Sequence, residues 1–227
     1  MPGFKHSSGR WTKLFSEEDL LLATGLKYSF TENEATLVGF TADFSAAVAE
    51  GKLSTLIIPD QAYNNSISKN VPVTSINVTS DWLSSEAVTK ITALIISENV
   101  KTIQGTGFNS YSALTKVKLP SGLESIAEGV FKGCTSLKEL KMPCCKGILS
   151  DGTIITNCLL GLLFGTEEQE GCTATHQYYT DSNGDLQERI YYIPNSLRFI
   201  WILRSAFNQD VLLNCSKIEG VFLNDEI

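Results

Sequence analysis

Two consecutive stretches carry the same pattern of apolar residues, LIISENVKTIQGTGFNSYSALTK at 94–116 and VKLPSGLESIAEGVFKGCTSLKE at 117–139. Their apolar positions coincide at one constant spacing, which is the interval from Leu94 to Val117. The other matched pairs are Ile96 and Leu119, Val100 and Leu123, Ile103 and Ile126, Phe108 and Phe131, and Leu114 and Leu137. A third copy begins with the residues LKMP from Leu140, at the same interval again. Agreement at so many positions predicts a repeat protein.

Each repeat begins with the pattern of a short β-strand. Leu94 and Ile96 are apolar at a period of two, which is typical of a strand with one buried face. Pro120 follows the strand of the next copy and ends it, because proline has no amide proton for a further ladder hydrogen bond. One coil cannot bury its own apolar edge, whereas coils stacked on each other can. The pattern therefore predicts a solenoid with parallel strands along one side, and Phe108 and Phe131 in its centre.

Weaker copies of the pattern flank the clear ones. LSTLIIPD at 53–60 matches ITALIISE at 91–98, and the wider separation of these two segments indicates one coil with an insertion. IPNSLRFIWI at 193–202 predicts another strand. NCSKIEGVFL from Asn214 repeats the pattern of GCTSLKELKM from Gly133, much earlier in the chain. The repeats therefore extend well beyond residues 94–143.

Two hairpins are predicted outside the regular repeats. KYSFTENEATLVGF at 27–40 has two alternating segments around a polar turn. Asn183-Gly184, a strong two-residue turn signal, lies within an irregular insertion at about 144–192. We predict an N-terminal tail with a short helix at 1–26, capped by Ser16, followed by a repeat domain at 27–227.

The stretch LPSGLESIAEGVFKGCTSLKELKMP at 119–143 resembles the BspA-like (Treponema pallidum type) leucine-rich repeat. The positions that match its pattern are Leu119, Pro120, Leu123, Ile126, Phe131, Cys134, Leu137, Leu140, Met142 and Pro143. The resemblance extends over about residues 27–223 and is most specific from Leu94 to Pro143. The sequence departs from the pattern at Ser97, where proline is usual, and at Tyr111, where cysteine is usual.

This resemblance implies a fold and a class of function. The fold is a β-rich α/β, right-handed leucine-rich-repeat solenoid with short parallel strands, an N-terminal hairpin and an inserted β-hairpin. Members of the family are mostly cell-surface or secreted proteins implicated in adhesion and in binding host proteins. The resemblance therefore implies a non-catalytic binding module at the cell surface or outside the cell.

Composition narrows the classes of partner. The chain has 25 acidic and 18 basic residues and a net charge of −7, which argues against nucleic-acid binding, since phosphate contacts need clustered Lys and Arg. No run of about 18 apolar residues occurs, so we predict no membrane span. The N-terminal segment MPGFKHSSGR lacks the apolar stretch of a signal peptide, so none is visible in this chain.

The residues that usually carry catalysis or bind metals are sparse. The chain has two histidines and six cysteines, with no C-x-x-C pair. Cys172 and His176 suggest a zinc site, but their spacing matches no standard zinc pattern, and scattered thiols or a disulfide explain the cysteines better. Asp181 and Asp185 suggest a calcium loop, but the glycine and glutamate of an EF-hand are missing. We predict no catalytic residue, no metal and no cofactor.

The outward side of the strands carries two patches of a candidate binding site. The residues predicted to point inward are Leu94, Val117, Leu140, Ile200 and Val221. Their neighbours then point outward and form a basic patch of Lys116, Lys118 and Lys141 beside an aromatic pair, Phe199 and Trp201. Aromatic and cationic side chains together suit a protein or glycan ligand. In the alternative interpretation the inserted hairpin covers the aromatic pair, or the register is shifted by one residue.

Three functions follow from these features. The first is a module that binds a protein or a glycan through the strand face. The second is a structural spacer within a longer repeat array, with end-to-end contact through an uncapped C-terminal repeat, since an exposed last coil favours pairing. The third, least favoured, is a cysteine-dependent hydrolase, which would need a reactive thiol.

Overall fold

Short strands dominate the structure of this chain, which is a computed structural model. The structure describes residues 4–7, 10–13, 21–22, 24–79, 82–156, 158–181, 183–203 and 209–224. In chain order the strands are β1 Phe4–Ser7, β2 Arg10–Lys13, β3 Leu26–Phe30, β4 Ala35–Phe40, β5 Thr55–Ile58, β6 Gln61–Asn64, β7 Lys69–Val78, β8 Ala93–Ile96, β9 Thr102–Gly105, β10 Lys116–Lys118, β11 Ser125–Ala127, β12 Glu139–Met142, β13 Lys146–Ile148, β14 Ile154–Ile155, β15 Cys172–Thr180, β16 Leu186–Pro194, β17 Phe199–Leu203 and β18 Gly220–Asn224. The helices are α1 Ala42–Ala49, α2 Ser85–Val88, and 3-10 helices at Gly161–Leu163 and Gln209–Leu212.

Six strands form one parallel sheet, in the spatial order β5, β8, β10, β12, β17 and β18. Val117 lies opposite Leu94 on one side and Leu140 on the other, and Leu140 lies opposite Ile200. These four side chains are at most 1% exposed. Each repeat of the sequence, such as the interval from Leu94 to Val117, therefore adds one strand to the sheet. The predicted solenoid register is confirmed.

The end strand departs from this pattern in burial. Val221 lies opposite Ile200, as its place in the repeat predicts, but it is 39% exposed. In the part of the chain that the structure describes, β18 has a neighbouring strand on one side only. Val221 therefore lacks the second coil that buries Ile200.

A second sheet, which the sequence analysis did not predict, lies along another side of the coils. It has eight strands, in the order β14, β13, β11, β9, β7, β4 and β3, with β6 paired to β7. Ile126 of β11 lies between Ile103 of β9 and Gly147 of β13. Each of these short strands buries a single residue at its middle, so its alternation is too brief to be recognised in the sequence.

The centre of the coils is aromatic, as predicted. Phe108 and Phe131 stack with their ring centroids 6.0 Å apart and an interplanar angle of 18°. Tyr111 packs edge-on against Phe108 at 6.0 Å. It stands where the next copy of the repeat has Cys134, and it is 1% exposed. Cys134, at the cysteine position of the next copy, is fully buried, as predicted.

The N-terminal part contains the predicted hairpin and one unpredicted element. β3 and β4 pair antiparallel, which confirms the hairpin at 27–40. Residues 21–22 and 24–25 are helical, and Ser16, the expected cap of the short helix, lies outside the described residues. Within the segment 1–26, expected to be a tail with a short helix, β1 and β2 pair antiparallel, so part of it is a hairpin.

The insertion is a long hairpin, as predicted, but it begins later than residue 144. β15 and β16 pair antiparallel over nine residues each. The carboxylate of Asp181 accepts hydrogen bonds from the amides of Asn183 and Asp185 and so stabilises the turn. β13, within the expected insertion, still belongs to the repeat, with Gly147 opposite Ile126. Gly147 obscures the repeat in the sequence, and Leu162 and Ile155 occupy the space beside it.

Replacing Gly105 with alanine tests how closely neighbouring coils approach. Gly105 and Gly152 have φ of +75° and +86°, and a Cβ at Gly105 would collide with the Val78 carbonyl, whereas one at Gly152 meets nothing within 4 Å. Both substitutions incur the left-handed strain of about 1–2 kcal/mol. We expect Gly105→Ala to lower the free energy of unfolding in urea by about 1–3 kcal/mol more than Gly152→Ala, because it also forces the backbones apart. Equal losses would contradict this packing.

Candidate ligand-binding face

The outward surface of the six-stranded sheet, here called the strand face, presents two rows of side chains. Residues alternate inward and outward along each strand, so residues opposite each other in register form a row across the sheet. The central row is Ile57, Ile95, Lys118, Lys141, Trp201 and Phe222. The leading row is Thr55, Ala93, Lys116, Glu139, Phe199 and Gly220. All five residues of the predicted site lie in these two rows.

Two of the three lysines are paired with carboxylates. Lys116 Nζ lies 3.0 Å from Glu139 Oε2, and Lys118 Nζ lies 3.0 Å from Glu98 Oε1. Glu98 also accepts hydrogen bonds from the amide and the hydroxyl of Ser121. Partial burial acts to raise the pKa of Glu98, but the hydrogen bonds from Ser121 and Lys118 outweigh it and hold that pKa below its ordinary value. The basic patch is therefore largely neutralised at Lys116 and Lys118.

Lys141 has a different partner. Its Nζ lies 5.8 Å from the centroid of the Trp201 ring, over the ring. Among the residues that the structure describes, no carboxylate lies within ion-pair distance of Lys141. A cation over an indole face is an attractive arrangement, and it leaves the positive charge available to a ligand.

An aromatic cluster occupies the β17–β18 end of the strand face. Trp201 stacks on Phe222 with centroids 4.9 Å apart and an interplanar angle of 15°, and Phe199 lies 6.4 Å from Phe222. Gly220 permits this packing, because a Cβ there would lie 2.9 Å from the Phe199 ring. Phe199 and Phe222 are 36% and 43% exposed. The two phenylalanines are therefore exposed apolar surface on a regular sheet, and Trp201 between its neighbouring strands is half-buried.

The inserted hairpin is fastened away from this cluster. The side chain of Gln177, on β15, donates to the carbonyl of Val211 at 2.9 Å and accepts from the amide of Gly161 at 2.8 Å. Arg189, on β16, forms an ion pair with Glu128, whose side chain is 5% exposed. Glu128 directly follows β11 of the eight-stranded sheet. The hairpin is therefore anchored to the two 3-10 helices and to the end of β11. Because these anchors lie away from the strand face and Phe199 stays exposed, the hairpin does not bury the cluster.

A shallow depression lies at the β5–β8 end of the strand face. It has a volume of about 220 Å³ and is lined by Ile57, Ile95, Ser97, Lys118 and neighbouring residues. Ile57 and Ile95 are 40% and 39% exposed. The sequence analysis did not include these two isoleucines in the site, although their register with Lys118 follows from the same repeat.

The described cysteines and His176 have structural partners or are buried. Cys144 and Cys158 form a disulfide with their Cα atoms 5.1 Å apart, one of the alternatives considered for the cysteines. Burial raises the pKa of Cys145 and Cys215 to about 12, opposite to the shift that an attacking thiolate needs. His176 Nδ1 lies 2.7 Å from Glu188. Within the described ranges, no three His, Cys, Asp or Glu side chains are grouped as a metal site.

The repeat geometry agrees with a comparison of the sequence with known families. Residues 52–158 match the family described as BspA type Leucine rich repeat region (6 copies). This segment is a BspA-type leucine-rich repeat region. No curated protein matches the sequence. In the part of the chain that the structure describes, no helix is long and apolar enough to span a membrane.

Solved structures of leucine-rich repeat proteins are similar to this chain. One from Bacteroides capillosus ATCC 29799 has 24% identity and a TM-score of 0.42, over 53% of this chain and 79% of that one. One from Bacteroides ovatus ATCC 8483 has 18% identity and a TM-score of 0.46, over 88% of this chain and 40% of that one. The T. pallidum leucine-rich repeat protein has 13% identity and a TM-score of 0.41, over 88% of this chain and 80% of that one.

The contact between Lys141 and Trp201 is measurable as a coupling free energy. We expect a double-mutant cycle of Lys141→Gln and Trp201→Leu, followed by urea unfolding, to give a favourable coupling of about 0.5–1 kcal/mol. The matched control pairs Trp201→Leu with Lys146→Gln, because Lys146 is an exposed lysine on β13 of the other sheet. A coupling no larger than that of the control pair would contradict the cation–π contact.

Proposed function

We propose that this chain is a recognition module that binds another macromolecule, a protein or a glycan, through the strand face. The observation that carries the proposal is the cluster of Phe199, Trp201 and Phe222, in which both phenylalanines are exposed and Trp201 is half-buried. Aromatic side chains offer a large contact area with few rotatable bonds, and they are enriched at binding hot spots. Lys141, which has no carboxylate partner among the described residues, lies beside the cluster and adds a charged contact that favours specific partners.

The arrangement of the face supports recognition better than catalysis. The side chains of both rows project from strands, so their positions are fixed by the sheet register rather than by loops. The free thiols of Cys134, Cys145 and Cys215 are desolvated, with pKa values raised to about 12. An adhesive role at the cell surface, as in the family that the sequence resembles, belongs to this proposal.

A second candidate function is a structural spacer. It is favoured by the end strand β18, where Val221 and Leu223 are 39% and 37% exposed. These side chains continue the inward row of the coil before them, in register with Ile200 and Ile202. A further coil, or the end of another molecule, would bury them as β17 is buried.

Binding to an array of matrix proteins and glycans separates the two functions. We expect the purified chain to bind at least one protein or glycan, and Phe199→Ala/Trp201→Ala to lose that binding by more than about thirtyfold, since central aromatic residues carry about 2 kcal/mol or more each. The matched control is Trp82→Ala/Ile154→Ala, which removes side chains that are 54% and 62% exposed elsewhere.

The control variants make the result interpretable. Both double variants are first checked for an unchanged circular dichroism spectrum and thermal melt. Binding that survives in Phe199→Ala/Trp201→Ala would place the ligand elsewhere and contradict the proposal. Absence of binding by the unaltered chain would favour the spacer, in which case sedimentation at increasing concentration would detect end-to-end contact.

A further inference from the structure

The packing of Trp201 restricts which ligands it can contact. Trp201 lies between Phe222 on one neighbouring strand and Lys141 on the other. Phe222 stacks at 4.9 Å and Lys141 Nζ lies 5.8 Å from the ring centroid. These two distances are close to the strand spacing of about 4.8 Å. Because Phe222 and Lys141 lie on opposite sides of β17, each of them covers one face of the indole. A sugar ring that stacks on tryptophan needs an open face, whereas Trp201 presents an apolar edge.

Lys141 selects for negative charge. The neighbouring lysine in the central row, Lys118, is held by Glu98, and Lys116 is held by Glu139. In the described part of the chain Lys141 has the indole as its partner and no carboxylate. A carboxylate from a ligand would complete an ion pair here, as Glu98 and Glu139 do for the other two lysines.

Two apolar contact points lie on either side of the lysines. The edge of Trp201 and the ring of Phe222 form one, and the depression at Ile57 and Ile95 forms the other. Ile95 and Trp201 are separated by three steps across the sheet. Three steps of about 4.8 Å give about 14 Å, which about four residues of extended chain span. In an extended chain, residues i, i+2 and i+4 point to the same side.

We infer that the ligand of the strand face is an extended protein segment in which a carboxylate stands between two apolar side chains four residues apart. This inference rests on the proposed function and specifies its ligand. One apolar side chain contacts Trp201 and Phe222, the other enters the depression at Ile95, and the carboxylate pairs with Lys141.

An array of synthetic peptides tests the inference directly. The probes are acetylated, amidated decapeptides with the core Leu-Ser-Glu-Ser-Phe or its reverse, together with versions that carry Gln or Lys in place of Glu. Further versions separate the two apolar residues by two or six positions. We expect the chain to prefer Glu over Gln by about fivefold at low salt, as for an exposed ion pair, and the preference to decline as salt is added.

The variant Lys141→Gln is expected to bind Glu and Gln peptides equally. The matched control Lys146→Gln removes the same charge from the other sheet and is expected to keep the preference for Glu. A preference that survives in Lys141→Gln, an equal response to all apolar spacings, or no peptide binding at all would overturn the inference.

The two proposals fail in different ways. Binding of glycans that is lost in Phe199→Ala/Trp201→Ala would leave the recognition function in place and overturn the protein ligand. Binding of proteins or glycans that does not depend on Phe199 and Trp201 would overturn the strand face as the site, and this inference with it.

Discussion

Inward side chains on the inner strands of the six-stranded sheet are covered by the coils before and after them, and the rest of the molecule depends on this stacking. Leu94 lies between Leu56 and Val117, and all three are at most 1% exposed. Full burial of such a side chain contributes about 1.5–3 kcal/mol, so the stacked rows stabilise a chain whose helices are short. Val221 on the end strand β18 is in the same register but is 39% exposed, since no further coil covers it in the part of the chain that the structure describes.

Stacking of the inward rows also builds the strand face. A residue that follows an inward one must point outward, so the repeat brings Lys118, Lys141 and Trp201 side by side from distant positions in the sequence. The inserted hairpin between Lys141 and Trp201 does not interrupt the row, because Leu140 still lies opposite Ile200. The buried polar contacts of Gln177 fasten the insertion elsewhere, so the core register and the outward face are both retained.

The sequence predicted the register well because that register depends on a long-range repetition of apolar residues. The matches between successive copies placed Leu94, Val117 and Leu140 inward and so placed Lys118 and Lys141 outward. The second sheet was missed because its short repeat strands β9, β11 and β13 bury one residue each, and in β13 that residue is Gly147. The pairing of Cys144 with Cys158 could not be derived, since six cysteines allow many connectivities.

The side-chain contacts within the strand face could not be predicted from the sequence, because they depend on rotamers that the repeat pattern does not specify. Glu139 and Glu98 neutralise Lys116 and Lys118, and Lys141 lies over Trp201. Among the described residues, the predicted basic patch therefore has one lysine without a carboxylate partner rather than three. The net charge of −7 does not oppose an acidic ligand there, since charges more than about 8 Å apart are largely screened at physiological ionic strength. The rings beside Lys141 are already stacked, so binding costs little side-chain entropy. Local geometry rather than overall charge therefore decides which ligands the face can accept.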